Sequence, residues 1–564
     1  MSGHVSMMND VLISQMPTSM LRSAMRSIIS KDPTARQLLL QHVRERLTES
    51  PPRLPSASDL FPSDDGDLTV LETFLSTVRC YFSSHLVVEC LPSLIHLVES
   101  VKAGSASWTP QSDLERTLET SASDIIQAIQ ALKESKSRPE GLEGSLLELL
   151  QSLDGCNRYC VEHNLSQPYT RAQTQVADAL SLLYPSAHIN GYAQPPRQTD
   201  QFPVDFSAES ISTGDQVERI LLGGKLSVPR MFNGLWQMSS PAWGSASASK
   251  MDEALLGLVR HGLVATDMAD HYGDAELVYG SFRNRLPFDV ADQVIAATKW
   301  CVFAPLTEPV SEQTVLAAVQ ERVERLGGRV ELLQFHWQDY DNKDYLVIIK
   351  YLVQLTQTRP DLVSAIGLCN FDAKRTEEVC EYMVHETGEV GIVSNQVQFS
   401  LIDSRPIFAM AAVCATYKIH LLTYGSFCGG FLSDKWLNRG APDGYGEKIP
   451  LTPSQRKYLD MIYTWGDWKD FSHLLTTLHD IALVHQVDVA NVATRWVLQR
   501  PEVGAVIVGT RLGVSSNAEA NLQAFTFELS PDEIATIELA ALGEGRAKAL
   551  KLFKEVGDCG QEYR

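Results

Sequence analysis

Two different spacings of apolar positions divide this sequence of 564 residues into an N-terminal and a C-terminal half. From Val5 to about Pro185, apolar residues recur every three or four positions, which is the period of amphipathic helices. Asp32-Pro33 has the N-cap residue and the first-turn proline of a helix start. The pattern predicts an all-α domain of about five helices, with its longest runs at 68–101, 111–134, 144–163 and 170–183.

After Val217 the rhythm changes, and short apolar runs alternate with helical patterns. This alternation predicts an α/β fold with a parallel sheet. Eight strand–helix units predict a (β/α)8 TIM barrel, preceded by a hairpin over 220–228. The predicted barrel strands are 230–234, 263–266, 294–298, 330–335, 362–367, 391–397, 419–423 and 503–508.

A polar segment rich in Pro, Gly and Gln separates the two halves and is typical of a linker. We therefore predict a helical domain over 1–186, a linker over 187–216, a barrel over 217–545 and a tail over 546–564. The long segment 429–468, which follows the seventh barrel strand, predicts a loop that closes over cofactor or substrate.

Charge and cysteine content exclude several classes of protein. The chain has 48 Lys and Arg against 69 Asp and Glu, a net charge of -21, which argues against a nucleic-acid or anionic-membrane partner. Its ten cysteines show no disulfide framework, so we expect a reducing compartment, the cytoplasm. No stretch approaches the roughly 18–20 apolar residues that span a bilayer.

Polar groups of complementary chemistry follow three consecutive predicted strands. Asp267 and Tyr272 follow the second strand, Lys299 the third and His336 the fourth. Catalytic groups of such barrels gather at the C-terminal ends of the strands, so we expect these four on one rim. A lone Lys or His at such a position is ordinarily a solvated or structural residue, whereas four complementary groups together favour a catalytic site.

These four groups suit the protonation of a carbonyl oxygen. A phenol is a weak acid near pH 7, but an adjacent ammonium lowers its pKa, and a carboxylate keeps that ammonium charged. A neutral imidazole can orient the carbonyl oxygen. None of these side chains supplies a hydride, so the reaction needs a cofactor.

The arrangement resembles the aldo-keto reductases, which are (β/α)8 barrels that use NADPH without a Rossmann fold. Consistent with this, no Gly-x-Gly-x-x-Gly motif follows a predicted strand. The resemblance implies a catalytic tetrad of Asp267, Tyr272, Lys299 and His336, with Tyr272 as general acid. It also implies NADPH-dependent reduction of a small aldehyde or ketone to the alcohol.

The resemblance continues at the later strand ends, in 366–371, 394–400, 422–426 and 506–511. It implies that Asn370 and Gln396 bind the nicotinamide carboxamide and that Tyr424 stacks on the ring. A planar guanidinium suits a dianionic phosphate, so the resemblance assigns Arg511 to the 2′-phosphate. Asp267 and Asn521 complete the implied cofactor-binding set.

The sequence departs from the family pattern at four positions near the implied cofactor site. Cys369 stands for the usual Ser, Leu235 for Thr and Val508 for Pro, and Ala520 interrupts the usual Glu-Asn pair. These departures concern cofactor affinity and the preference for NADPH more than the reaction class.

Three tryptophans leave two interpretations open. Trp236, Trp300 and Trp337 lie at or just past strand ends, where they either wall an apolar substrate pocket or pack the top of the barrel.

The helical half shows no catalytic constellation and resembles no family that we recognise. Cys156, Cys160 and His163 share one helical face, but the amphipathic setting and the missing fourth ligand favour core packing, and we predict no metal site. The half is a docking or self-association module or a cover for the barrel. The alternative function is therefore an NADPH-binding regulatory or scaffolding protein that turns over slowly and docks a partner through this half.

Overall fold

The computed structural model describes residues 12–62, 67–135, 138–186, 206, 214, 217–240, 243–303, 306, 309–446 and 451–563. The predicted linker lies outside these residues except for Phe206 and Gly214. Phe206 is buried, with its ring 5.8 Å from that of Phe282, and Gly214 N donates to Arg260 O at 3.2 Å. These two points of the linker therefore pack on the barrel.

The N-terminal part is helical, as predicted, but the described residues form eight helices there instead of about five. Its helices are α1 (Thr18–Lys31), α2 (Pro33–Glu49), α3 (Ala57–Leu60), α4 (Thr69–Ser83), α5 (Val87–Ala103), α6 (Asp113–Glu134), α7 (Leu142–Glu162) and α8 (Thr170–Leu183). The predicted run 68–101 is two helices, because His85 takes a φ of 64° and a right-handed helix cannot continue through that conformation. The predicted start at Asp32-Pro33 is confirmed, since Asp32 Oδ1 accepts a hydrogen bond from Thr34 N at 2.8 Å.

The helical part has an apolar core of its own, built from the inner faces of α4 to α8. Cys156 and Cys160 are buried in that core, and the His163 ring lies 4.2 Å from the ring of Tyr159. These positions agree with the core-packing interpretation.

The C-terminal part is a closed barrel of eight parallel strands, which confirms the predicted fold class. A hairpin of β1 (Arg219–Leu222) and β2 (Leu226–Pro229) precedes it. The barrel strands are β3 (Met231–Gly234), β4 (Ala265–Asp267), β5 (Ile295–Val302), β6 (Val330–Trp337), β7 (Val363–Cys369), β8 (Ile392–Gln398), β9 (His420–Tyr424) and β10 (Val503–Gly509).

Helices surround the strands. They are α9 (Ala248–Arg260), α10 (Ala275–Arg283), α11 (Phe288–Ala291), α12 (Glu312–Leu326), α13 (Asp344–Thr358), α14 (Ala373–Thr387), α15 (Ala409–Tyr417), α16 (Pro453–Trp465), α17 (Trp468–His485), α18 (Val489–Leu498), α19 (Ala518–Leu522), α20 (Pro531–Leu542) and α21 (Ala547–Val556). The segment 429–468, predicted as a loop, thus contains α16, which a capping box of Thr452 and Gln455 begins. None of the helices within the described ranges has both the length and the hydropathy to cross a membrane.

Alternation along the strands divides the barrel into two cores. Phe232, Ala265, Leu332 and Leu422 belong to a cluster that also includes Leu222 of the hairpin. A larger cluster joins the outward-facing strand residues to the surrounding helices. The hairpin therefore packs on the inner cluster, and the side chains that face inward near the opposite, C-terminal ends of the strands form the rim.

Candidate functional site

Three of the four predicted catalytic residues end or nearly end neighbouring strands. Asp267 is the last residue of β4, while Lys299 and His336 lie near the ends of β5 and β6. Lys299 Nζ donates to Asp267 Oδ2 at 2.6 Å and to Met268 O at 2.9 Å. The same ammonium lies 4.8 Å from the centre of the Tyr272 ring, which stands on the loop after β4. The structure thus brings together the Tyr272 phenol, the Asp267 carboxylate and the Lys299 ammonium at one point of the rim.

Asp267 is held on both sides. Its Oδ1 atom accepts hydrogen bonds from Gln334 Nε2 and Gln396 Nε2, each at 2.8 Å, while Oδ2 faces Lys299. Gln396 also donates to Gln334 Oε1 at 2.8 Å. Gln334 is absent from the sequence-based site, although it stands two residues before His336 and so shares its inward face.

Burial and the local charges decide the protonation states of this cluster. Burial raises the pKa of the Tyr272 phenol well above its ordinary value, and the Lys299 ammonium opposes that shift only in part. The predicted lowering of the phenol pKa by Lys299 is therefore outweighed. For Lys299, burial favours the neutral amine, but the Asp267 carboxylate overrides it and raises the pKa of the ammonium. Near neutral pH, Tyr272 holds its proton and Lys299 its charge.

His336 completes the cluster from the next strand. In the sheet register it pairs with Cys301 on one side and Cys369 on the other, while Lys299 pairs with Gln334. The aromatic ring of Phe303 meets the His336 ring edge-on at 5.2 Å. His336 therefore stands on the same inward face as Lys299 and Gln334, two residues further along its strand than Gln334.

The residues assigned to the nicotinamide are neighbours. Asn370 follows β7 with a φ of 58°, and its N–H donates to Gln396 O at 2.8 Å. The Tyr424 hydroxyl donates to Asn370 Oδ1 at 3.0 Å. Arg511 and Asn521 lie apart from these three, on the segment that follows β10, where Arg511 is exposed and Asn521 is half-buried.

The donor set of the rim fits a phosphate-bearing nucleotide. Ser426 Oγ is buried and lacks a hydrogen-bond partner within the described part of the chain. Gln237 Oε1 is in the same situation, but it is an acceptor and so offers nothing to a phosphate oxygen. Ser426 follows Tyr424 by two residues, and Gln237 lines a small cleft together with Arg511. A free hydroxyl and an exposed guanidinium are donors that phosphate groups accept. The residues present therefore suit the cofactor that the sequence pattern implies.

The three tryptophans separate into two groups. Trp300 and Trp337 belong to the outer cluster, where Arg322 lies 5.8 Å from the Trp300 ring and Tyr345 lies 6.2 Å from that of Trp337. Their side chains fill the layer between strands and helices, so the structure supports packing rather than a pocket wall. Trp236 stays at the rim, 40% exposed, with its ring 4.7 Å from that of Trp243.

The C-terminal tail reaches the same rim. Its Tyr563 hydroxyl lies 3.1 Å from the Tyr424 hydroxyl and 3.3 Å from Lys457 Nζ. The Tyr563 ring meets the His336 ring edge-on at 6.0 Å. The sequence predicts no role for this tail, and only the tertiary structure shows that Tyr563 contacts two predicted site residues, Tyr424 and His336.

The barrel part of the chain matches a known protein family. A model described as the Aldo/keto reductase family fits residues 230–541, which is more than half of the chain and begins after the helical part.

Two individual proteins are similar to parts of the chain. Flagellar radial spoke protein 5 of Chlamydomonas reinhardtii is 25% identical over 267 residues, which is 41% of this chain and 49% of that protein. The chain thus spans about half the length of this curated relative. The crystal structure of a thermostable aldo-keto reductase, Tm1743, in complex with the inhibitor epalrestat, is 18% identical, with a TM-score of 0.43; the match covers 57% of this chain and 99% of that one.

Proposed function

Because the chain belongs to the aldo/keto reductase family, we propose that it is an NADPH-dependent oxidoreductase that reduces an aldehyde or ketone to the alcohol. One observation supports this most directly: the Lys299 ammonium lies between the Asp267 carboxylate, at 2.6 Å, and the Tyr272 ring, at 4.8 Å. The buried phenol keeps its proton near neutral pH, and because its raised pKa makes it a weak acid, proton transfer depends on the adjacent cation. The cation then stabilises the phenolate that remains.

Bound NADPH would supply a hydride to the carbonyl carbon. Tyr272 donates its phenolic proton to the carbonyl oxygen, so that the carbon–oxygen π bond is replaced by one C–H and one O–H bond. Lys299 stabilises the phenolate, and Asp267 keeps Lys299 charged and in place. His336 orients the substrate oxygen through a ring N–H. Solvent returns a proton to Tyr272 after the product leaves.

This chain offers separate groups for the parts of the cofactor. Asn370 and Gln396 would hold the carboxamide and Tyr424 the face of the nicotinamide ring, beside Asp267. Arg511 would meet the 2′-phosphate and Asn521 the adenine end. Ser426, whose buried hydroxyl lacks a partner among the described residues, would donate to a phosphate oxygen.

Steady-state oxidation of NADPH with a broad panel of aldehydes and ketones tests the proposal. Tyr272→Phe is expected to lower kcat at least about 100-fold, the scale of general acid catalysis, while NADPH still binds. Tyr279→Phe is the matched control, because Tyr279 is also a buried tyrosine and lies on the adjoining helix α10. An intact protein that binds NADPH but reduces no member of the panel would defeat the proposal.

The second candidate is a regulatory or scaffolding protein whose barrel binds NADPH and whose helical part docks a partner. The similarity to a flagellar radial spoke protein supports it. Under this function, NADPH binds tightly while turnover stays below about 0.01 per second for every carbonyl, far under ordinary enzyme rates. The turnover numbers of the full chain and of residues 217–564 can also be compared. A difference between them would show that the helical part affects the reaction.

A further inference from the structure

The helical domain contacts the loop that carries Tyr272 through a buried ion pair. Arg171 of α8 donates from Nε to Asp274 Oδ2 at 2.8 Å and from Nη2 to Asp274 Oδ1 at 2.6 Å. The two side chains are only 11% and 2% exposed. A two-pronged guanidinium–carboxylate contact fixes direction as well as distance, and here it holds a residue two positions from Tyr272.

The backbone on both sides of Tyr272 has further partners in the helical domain. Gln130 Nε2 lies 3.3 Å from Asp270 O, and Gln175 Nε2 lies 3.5 Å from Gly273 O. A Cβ atom on Gly273 would approach the side chain of Ile126 to 3.2 Å. The chain is therefore held before and after Tyr272 by one surface, formed by α6 and α8.

A second contact supports the end of this loop. Asp178 of α8 accepts from Arg325 Nε of the barrel at 3.1 Å and from Lys133 Nζ of its own domain at 3.1 Å. Arg325 also lies 3.3 Å from Glu276, in the first turn of α10 directly after the loop. Arg325 thus links α8 to the first turn of α10, directly after the loop that carries Tyr272.

We propose that the helical domain is a positioning module for the catalytic loop and that Arg171 is a positioning residue for Tyr272. A proton donor must be held within a fraction of an ångström of its productive place, and the contacts from α6 and α8 add to those that the barrel itself makes with this loop. Arg171 contacts Asp274 rather than the reacting atoms, so it acts through the loop. The kinetic part of this inference rests on the proposed reductase function.

The test compares Arg171→Ala and Arg171→Lys with the intact chain. We expect Arg171→Ala to lower kcat about tenfold at saturating NADPH, because the proton donor is displaced. Saturation is needed because Arg171 also lines the small cleft that contains Arg511. Arg171→Lys keeps the positive charge but loses the planar guanidinium that binds both oxygens of Asp274, so its kcat should lie between those of Arg171→Ala and the intact chain. Arg158→Ala is the matched control, since Arg158 lies in the same domain and pairs with Asp154 at its surface.

Hydrogen exchange of the backbone over 268–276 gives a readout that needs no turnover. Exchange should be faster in Arg171→Ala, or in Asp274→Asn if the first variant folds poorly, and unchanged in Arg158→Ala. Unchanged exchange, or a kcat loss no larger than that of the control, would overturn the inference. An intact chain without reductase activity would defeat only the proposed function, and hydrogen exchange would still decide whether the helical domain holds the loop that carries Tyr272.

The C-terminal tail carries an independent inference. Arg405 is 1% exposed and binds Asp403 Oδ1 at 2.8 Å and Glu562 Oε1 of the tail at 3.0 Å. Its Nη1 atom also donates to Asp558 O at 3.0 Å, and Asp558 Oδ2 accepts from Ala373 N at 2.9 Å. These bonds anchor residues 557–563 across the ends of β7 and β8.

The anchored tail meets the residues that we assign to the nicotinamide. Gly560 packs so closely on Asn370 that a Cβ atom there would lie 2.1 Å from Asn370 O. The Tyr424 hydroxyl is shared between Asn370 Oδ1 and the Tyr563 hydroxyl. We infer that residues 557–563 form a plug that the nicotinamide end of NADPH has to displace, which lowers the apparent affinity for the cofactor.

Gly560→Ala tests the plug against a strain-matched control, Gly545→Ala. Both glycines have positive φ, 74° and 58°, but a Cβ on Gly545 meets open space. We expect Gly560→Ala to lower the Kd for NADPH at least about threefold by titration calorimetry, and Gly545→Ala to leave it unchanged. Tyr563→Phe should act in the same direction and less strongly.

Equal or weaker NADPH binding by Gly560→Ala would overturn the plug. A chain that binds no NADPH in any of these forms would instead defeat the proposed function. The two failures are thus distinguishable.

Discussion

Arg171 and Asp274 form a two-pronged ion pair, with Nη2 and Oδ1 only 2.6 Å apart, that joins the helical domain to the barrel two residues from Tyr272. Both partners are almost completely buried. A buried pair of this kind is costly to break, because the remaining charge is left without compensation. The helical domain thus contacts the loop on which the proposed proton donor stands.

The pH dependence of reduction follows from the environment of Tyr272. Burial raises the pKa of its phenol above the ordinary value near 10, despite the opposing Lys299 charge. The phenol therefore keeps its proton below that raised pKa, and kcat should stay level between about pH 6 and pH 9. A pH profile of single-turnover reduction checks this. If kcat instead falls as pH rises, with an apparent pKa inside that window, the Lys299 charge outweighs burial in setting the pKa of Tyr272.

Cofactor preference should depend on Arg511. Replacing Arg511 by Ala is expected to raise the Kd for NADPH about tenfold or more and to leave NADH binding within about twofold, because only NADPH carries the 2′-phosphate. Fluorescence titration with both nucleotides measures this, and NADH serves as the internal control. Equal weakening of both nucleotides would remove Arg511 from the phosphate site.

The interface should lose stability in acid through Asp178. Burial alone would raise the pKa of this carboxyl, but Lys133 and Arg325 override it and lower the pKa in the folded protein. Since the folded-state pKa is lowered, the stabilisation is present above about pH 4 and is lost as pH falls through the lowered value. Asp178→Asn should therefore lower Tm by several degrees at pH 7 and by less near pH 3.

Scanning calorimetry at both pH values measures the effect of Asp178→Asn. Asp361→Asn is the control, because Asp361 is 60% exposed and pairs with Arg359 at the surface. Exposed pairs contribute little, so the control should change Tm by about a degree or less. Equal effects of the two variants would contradict a structural role for Asp178.

The thiol beside the nicotinamide residues should be unreactive. Burial raises the pKa of Cys369 to about 12, so at pH 8 the nucleophilic thiolate is almost absent. Cys80 is exposed. Iodoacetamide at pH 8 should therefore label Cys80 in the native protein and Cys369 only after denaturation, as read by peptide mass spectrometry. Rapid native labelling of Cys369 would show that the rim opens to solvent.

The barrel was predictable because each strand is a short apolar run between helical patterns. Its boundaries were less so: β5 and β6 run on to Val302 and Trp337, past the predicted ends at 298 and 335. Polar inward residues such as Lys299 and Gln334 continue a strand when partners on the neighbouring strands satisfy them, and those partners are distant in sequence. The same reasoning explains why Gln334 was missed.

The sequence by itself determined the two-part architecture, the parallel barrel and the placement of Asp267, Tyr272, Lys299 and His336 at one rim. It could do so because the apolar spacing, and the succession of strand and helix patterns along the chain, can be read locally. Only the tertiary structure decided the protonation state of Tyr272, because burial depends on everything that surrounds the ring. It alone also decided that Trp300 and Trp337 face the helices, that Arg171 of the helical part reaches the loop that carries Tyr272, and that Tyr563 of the tail reaches the rim. Such contacts join residues whose separation in sequence carries no periodic signal.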